Sequence, residues 1–375
     1  MSLSSRTPQP TAQVAAIPPM TPFVAPEELA RRVGRTDLLR LGANESAFGP
    51  SPRAIAAMRE AVALTSWYGD PESLQLRAAL AARHGCAVEE IVVACGIDDL
   101  MGLIVRAYCG PGDACVATRG TYPTLFYHLN SLGARAEYAE PDAQGGIVPE
   151  NIVDAVRRSG AKLVYVANPD NPSGGFADRA TLAALRAALP EDTMLFLDEA
   201  YADFVPRESL LPDVIDPRVV RTRTFSKAYG MAGARIGYAL APAELVATFQ
   251  KLRLHFGVNR TAQIGALAAL DDEAFMRGVI AEVERGRDEY HALAARHGLP
   301  SLPSSTNFVC IGIGTRAEAE AMVGTLLELG VFVRKPWAAP IDSYIRVTVG
   351  TATERAAFAE IFTEALDRVR EKALP

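Results

Sequence analysis

The sequence is poor in lysine. Of its 38 basic residues only five are lysines: Lys162, Lys227, Lys251, Lys335 and Lys372. Any chemistry that needs a lysine amine therefore has few carriers. Cysteine is also scarce, with five residues and no C-x-x-C pair. That spacing argues against a disulfide framework and predicts buried thiols in a reducing compartment. No run of about 18 apolar residues occurs, so no membrane-spanning helix is expected. The start, MSLSSRTPQPTAQVAAIPPM, lacks a basic stretch followed by an apolar one. It does not read as a signal peptide, and the expected location is cytoplasmic. The net charge is −6 with no basic stripe, which argues against a nucleic-acid partner. His291 and His297 are six apart and do not share a helix face, so no metal site is expected.

What is present is the composition of a large globular chain. It has 375 residues, of which 49% are hydrophobic and 22% charged. Such a chain is neither disordered nor fibrous, and its length predicts two domains. Residues 1–25, rich in Pro, Ser and Thr, read as a flexible arm that could lie on a partner subunit. Helical periodicity appears in RAIAAMREAVA, ESLQLRAALAARHG, DDLMGLIVRAY and DRATLAALRAAL. Between these lie short apolar runs: IVVAC, ACVAT, KLVYVA, TMLFLD, VVRTRTF and IGYALA. Continuous apolar runs suit parallel strands covered on both faces. The alternation predicts an α/β fold with a large, mostly parallel sheet domain over residues 45–255. A smaller α+β domain is expected from residues 26–44 plus 256–375. GIGTRA (Gly312–Ala317) resembles a dinucleotide fingerprint, but no run of βα units follows it. It reads as a strand-to-helix turn.

Chemistry concentrates at the strand ends. Lys227 follows an apolar strand in TFSKAYGMAGARIGY, with Thr224, Ser226 and Arg235 nearby. A lysine can capture an aldehyde, while hydroxyls and a guanidinium suit a phosphate dianion. Together they suggest pyridoxal phosphate. Asp198 ends the run TMLFLD at the carboxyl edge of the sheet, where a carboxylate could hold a pyridinium nitrogen; helix capping is the alternative use. Tyr201 follows three residues later. Asn171, in the turn ANPDNPSGG, could donate to a ring oxygen. After IVVAC, Gly96 permits a tight turn, and the amides of Ile97 and Asp98 open a helix that could bind an anion. Tyr122, in GTYPT, could stack on a flat cofactor. Tyr68 lies in a polar loop. Arg346 sits within the apolar run YIRVTVG. A substrate carboxylate or a structural Asp or Glu would equally account for it.

In this order and spacing the motifs resemble the fold-type I, class I/II aminotransferases, most closely the histidinol-phosphate aminotransferase group. The pieces are LGANESAFGPSP, WYGDPESLQLRAAL, GIDDL, TYPT, NPDNPSG, DEAYADF, RTFSKAYGMAGARIGY, STNFVCIG, VFVRK and YIRVTVGT. The resemblance implies the PLP-dependent transferase fold, like that of aspartate aminotransferase, with pyridoxal 5′-phosphate as cofactor. It implies that Lys227 binds the cofactor aldehyde. Asp198 would meet the pyridine nitrogen, Asn171 and Tyr201 the ring oxygen, and Tyr122 the ring face. Ile97, Asp98, Thr224, Ser226 and Arg235 would bind the phosphate. Tyr68 would reach the neighbouring subunit's cofactor in a homodimer. Arg346 would clamp the substrate carboxylate or its phosphate-bearing end. Arg334 would hold a second anionic group, and Asn44 would touch substrate. The reaction implied is amino-group exchange between an amino donor and a 2-oxo acid such as 2-oxoglutarate.

The departures from the family pattern, NESAFG with Phe48, WYGDP, and Trp337 after Arg334, fall near the expected substrate pocket. They keep open an aromatic or broad-range aminotransferase. A rival of another class is a non-catalytic binding or regulatory protein on the same fold, but such regulators carry an N-terminal DNA-binding domain and this arm is short.

Overall fold

The computed structural model describes residues 7–17 and 23–373. In chain order the elements are α1 (Ala12–Ala15), α2 (Pro26–Arg32), β1 (Leu39–Arg40), α3 (Pro52–Val62), α4 (Leu74–His84), β2 (Ile91–Ala94), α5 (Ile97–Tyr108), β3 (Ala114–Thr118) and α6 (Thr124–Leu132). Then come β4 (Arg135–Ala139), α7 (Pro149–Ser159), β5 (Leu163–Ala167), α8 (Arg179–Ala188), β6 (Met194–Asp198), β7 (Val219–Thr224), β8 (Gly237–Leu240), α9 (Ala243–Gln250) and α10 (Arg260–Leu270). The last are α11 (Glu273–Arg296), β9 (Phe308–Gly312), α12 (Arg316–Glu328), β10 (Val331–Phe332), β11 (Tyr344–Thr348) and α13 (Ala352–Ala373).

Seven strands form one sheet in the order β2-β8-β7-β6-β5-β3-β4. β3 to β7 run parallel, and β8 lies antiparallel between β2 and β7. The strands are apolar on both faces because both faces are covered. Cys115, Tyr165, Phe196 and Val220 belong to the core cluster under α5, α6 and α9. Their alternating neighbours Val116, Val164, Leu195 and Val219 belong to the opposite cluster, under α7 and α8. Alternation thus persists inside runs that look uniformly apolar. β4 escapes a reading by apolar run. Its RAEYA pairs with β3 alone, and an edge strand needs only one buried side.

The remaining strands make two small pairs, β9 with β11 antiparallel and β1 with β10 parallel. Residues 39–41 therefore lie against the C-terminal strands. Leu41 donates to Phe332 O at 2.9 Å and accepts from the amide of Thr348 at 2.8 Å. α10 packs instead against α3, and α13 packs on α11 and α12. The glycine-rich turn after β9 is a helix start: Thr315 Oγ1 accepts from the Glu318 amide, and Glu318 Oε2 accepts from the Thr315 amide. Of the arm expected over residues 1–25, residues 1–6 and 18–22 lie outside the described residues. Its α1 packs on α6 of the same chain.

The parallel topology puts the ends of β5, β6 and β7 on one edge, where Ala167 pairs with Asp198 and Asp198 with Thr222. The turn after β7 is pinned by Gly230, at φ +68°. A Cβ there would sit 2.0 Å from the carbonyl oxygen of Gly49. Both the backbone angle and the contact demand glycine. Gly230→Ala is therefore expected to destabilise the protein by about 2 kcal/mol or more, measured as a lowered denaturant midpoint.

Candidate active site

A cleft of about 350 Å³ opens at that strand edge. Its walls include Ile97, Asp98, Tyr122, Asn171, Asp198, Tyr201, Thr224, Ser226, Lys227 and Arg235. It joins a wider cavity of about 830 Å³ through Asp98, Tyr122, Asn171, Tyr201 and Lys227. That cavity adds Asn44, Arg334 and Arg346, with Phe23, Phe126, Tyr138 and Trp337. Among the named candidates only Tyr68 lines neither. It is 75% exposed and rests on Phe256, ring centroids 4.5 Å apart.

Lys227 stands on one wall, with its Nζ donating to the carbonyl of Asn44 at 3.1 Å and 5.6 Å from the Tyr201 ring centroid. Asn44 has φ +54° and is held on all sides. Its Nδ2 donates to Tyr201 Oη at 2.9 Å, and its Oδ1 accepts from Thr348 Oγ1 at 3.1 Å. Asn307 Nδ2 donates to the same carbonyl that Lys227 uses, at 3.1 Å.

The same cleft is lined by Asp198, 5% exposed. Its Oδ2 accepts from Tyr165 Oη at 2.8 Å and its Oδ1 from the Ala200 amide at 3.1 Å. The Ala200 contact is the capping use; the burial goes beyond it. Burial pushes the carboxyl up to about 7, against the pull of the Tyr165 hydroxyl. The next residue, Glu199, is buried too, yet Arg223 and Arg221 outweigh burial and hold it below the usual range. Arg221 Nη2 reaches Glu199 Oε1 at 2.9 Å and Arg223 Nε reaches Oε2 at 2.8 Å. Two adjacent carboxylates therefore have opposite provisions: Glu199 has its cations, and Asp198 among the described residues has none.

At the other end, Ile97 and Asp98 open α5 after Gly96, whose φ is +86°. A Cβ on Gly96 would lie 2.9 Å from Arg235 Nη2, so glycine makes room for the guanidinium over the free amides. Thr224 Oγ1 donates to Ser226 Oγ at 2.9 Å. Tyr122 Oη donates to Asp98 Oδ1 at 3.1 Å, and burial raises the phenol's affinity for its proton. His128 Nε2 donates to the Asp98 carbonyl at 3.0 Å, with its ring packed where Gly102 has no side chain.

Arg346 has no carboxylate partner among the described residues, so the structural Asp or Glu alternative is not what the fold provides. Its Nη1 donates to Asn171 Oδ1, its Nη2 to Gly42 O at 3.1 Å, and its guanidinium lies 5.2 Å from the Phe308 ring. Arg334 pairs with it backbone to backbone, stands 4.9 Å from the Phe23 ring, and has no ion pair among the described residues. Burial, then the charge of Arg346, lowers the affinity of Arg334 for its proton. Trp337 lines the wide cavity and donates to Thr121 O at 3.2 Å. Phe48 does not line it; its side chain packs against the main core instead.

The sequence reading missed Tyr165, Asn307, Thr348 and the Glu199 cluster. Only Glu199 carried a local signal, two acids in succession at a strand end. Among the described residues no group of three or more His, Cys, Asp or Glu could hold a metal.

A doubly covered sheet with an amine, a buried cation-seeking carboxyl and an anion cradle at one edge defines an enzyme of amino-group chemistry. Residues 36–362 match the family Aminotransferase class I and II, and the chain belongs to it. The structure is similar to that of histidinol-phosphate aminotransferase from Sinorhizobium meliloti in complex with pyridoxal 5′-phosphate. The TM-score is 0.93 at 40% identity, covering 97% of this chain and 99% of that one. An aspartate aminotransferase mutant of Thermus thermophilus superposes with a TM-score of 0.79 at 25% identity, covering 96% and 99%. Histidinol-phosphate aminotransferase 2 of Carboxydothermus hydrogenoformans is 34% identical over 345 residues, 91% of this chain and 94% of that protein.

The residues fit that cofactor's chemistry. The cleft has a carboxyl awaiting a cation, donors for a phosphate, and a side chain omitted at Gly96 to admit Arg235. The cofactor-free protein gives a test. A carboxyl whose native affinity for a proton is raised holds its proton to higher pH than in the unfolded chain, so stability falls as pH rises from about 4 through 7. Asp198→Asn is expected to remove that slope. The cofactor-free variant should match wild type below about pH 4 and exceed it by a few kcal/mol near pH 8 in urea unfolding. Parallel curves for the two proteins would contradict it.

Proposed function

We infer that this aminotransferase uses pyridoxal phosphate, takes histidinol phosphate as amino donor, and returns the amino group to 2-oxoglutarate. The observation carrying the substrate reading is the pair Arg334 and Arg346, facing one cavity without carboxylate partners among the described residues. Two guanidiniums match a phosphate monoester dianion in one half-reaction and a dicarboxylate in the other.

Bound pyridoxal phosphate supplies an aldehyde for the amine and a ring that withdraws electrons from the carbon losing its proton. The chain's residues do the rest. Lys227, released from the Asn44 carbonyl, takes the proton from the amine-bearing carbon as general base. Asp198 holds the ring nitrogen as a cation. Asn171 and Tyr201 meet the ring oxygen, and Tyr122 covers the ring face. The amides of Ile97 and Asp98, with Thr224, Ser226 and Arg235, hold the phosphate. Asn44 contacts substrate and fixes Tyr201.

A homodimer belongs to the same proposal. Trp67, Tyr68, Leu254 and Phe256 are all exposed, and a second copy covering them would receive Tyr68 at its cofactor phosphate. We also propose a cofactor domain over residues 45–255 and a smaller domain from residues 26–44 plus 256–375. A cytoplasmic location accords with five unpaired thiols.

A second reading, an aromatic or broad-range aminotransferase, draws support from the wall of Phe126, Tyr138 and Trp337. Specificity constants separate the two. Histidinol phosphate should exceed phenylalanine by about 100-fold, and Arg334→Ala should remove most of that advantage while changing phenylalanine turnover less than about tenfold. A constant for phenylalanine above that for histidinol phosphate favours the second reading.

A further inference from the structure

We propose that Tyr165 is a positioning residue for Asp198. Its hydroxyl holds Oδ2 as an acceptor, so that the carboxylate keeps its charge and turns its remaining lone pairs toward the cofactor's ring nitrogen. The inference rests on the cofactor reading above.

Tyr165 is 1% exposed, in the middle of β5. Its ring packs edge-on against Phe196, centroids 5.0 Å apart and planes at 72°. Phenylalanine would fill the same space. The hydroxyl has one hydrogen-bond partner among the described residues, Asp198 Oδ2 at 2.8 Å. Register explains the contact: Tyr165 faces Phe196 and Ala167 faces Asp198, so the phenol reaches diagonally to the strand end. A phenol this buried stays protonated and donates to its neighbour when that carboxyl is ionised. That donation lowers the cost of a charge in a site where burial raises it.

The charged and titratable groups around the pair set the balance. Asp98 on α5 and Glu199, just past the end of β6, both disfavour charge on Asp198. Tyr122 and Asp170 do the same to Tyr165. Glu199 is balanced by Arg221 and Arg223. Lys227 lines the same cleft. Within this set Tyr165 and the Ala200 amide are the groups that favour the charged form through hydrogen bonds.

Tyr165→Phe removes the hydroxyl and leaves the ring. In the cofactor-free protein, the infrared carboxyl band assigned by subtracting Asp198→Asn should titrate roughly one pH unit higher in Tyr165→Phe than in wild type. With ¹⁵N-labelled pyridoxal phosphate, the ring-nitrogen resonance should lose its proton at lower pH in the variant. The dissociation constant for the cofactor should rise about tenfold, and kcat should fall with KM for the amino donor unchanged. In the Asp198→Asn background the same substitution should add nothing. Equal carboxyl midpoints and equal nitrogen titrations in wild type and Tyr165→Phe would overturn the proposal, as would an undiminished effect in Asp198→Asn. Should Tyr165→Phe not fold, wild type still decides. A tyrosine ultraviolet difference band with a midpoint near 7, absent from Asp198→Asn, supports the contact, and its absence from wild type overturns it. Failure of wild type to bind pyridoxal phosphate would instead overturn the cofactor reading, while the cofactor-free titration would still test the contact.

Discussion

Asp198 ends a fully buried strand with its carboxyl turned into a cleft and, among the described residues, no cation paired with it. In a low-dielectric site an unpaired carboxylate is costly, so the folded chain holds it only by keeping its proton or by gaining a cation. The neighbouring Glu199 makes the contrast plain, because Arg221 and Arg223 provide for it inside the fold. The uncompensated charge of Asp198 is a binding site left open on one side. In the proposed function, a pyridinium ring would be that cation, in the cleft that Lys227 and Arg235 also line.

The same logic recurs at the other end of the cavity with the sign reversed. Arg334 and Arg346 are held together by adjoining backbone, each near an aromatic ring, and their charges work against each other. An anion between them relieves both burial and repulsion. One carboxyl and two guanidiniums, each left incomplete by the fold, bracket the space in which an amino donor with a phosphate would lie. The contact of Arg346 with Asn171 would, on that proposal, tie the substrate end to the cofactor end.

The parts of the fold that could be read in the sequence are those where burial is two-sided. Runs such as TMLFLD and KLVYVA become strands because both their faces are covered. Asp198, which ends one of them, and Asn168, which follows the other, fall at one edge by parallel topology. Lys227, Asn171 and Arg235 were legible for that reason. Tyr165 was not. An aromatic residue inside an apolar run reads as core, and its reach to Asp198 depends on the register of two strands that no local pattern encodes. β4 was missed because an edge strand tolerates charge. The partner of Arg346 was open because a charge in a strand says nothing of what stands across from it. Phe48 was placed near substrate by motif position, whereas packing turned it into the core.

The scarcity of lysine makes the central claim directly testable. The protein, loaded with pyridoxal phosphate, is treated with borohydride to fix any lysine–cofactor bond, then digested and read by mass spectrometry. The account predicts a single modified peptide, carrying the cofactor on Lys227. Modification at Lys162, Lys251, Lys335 or Lys372 in its place, or none at all, would contradict it.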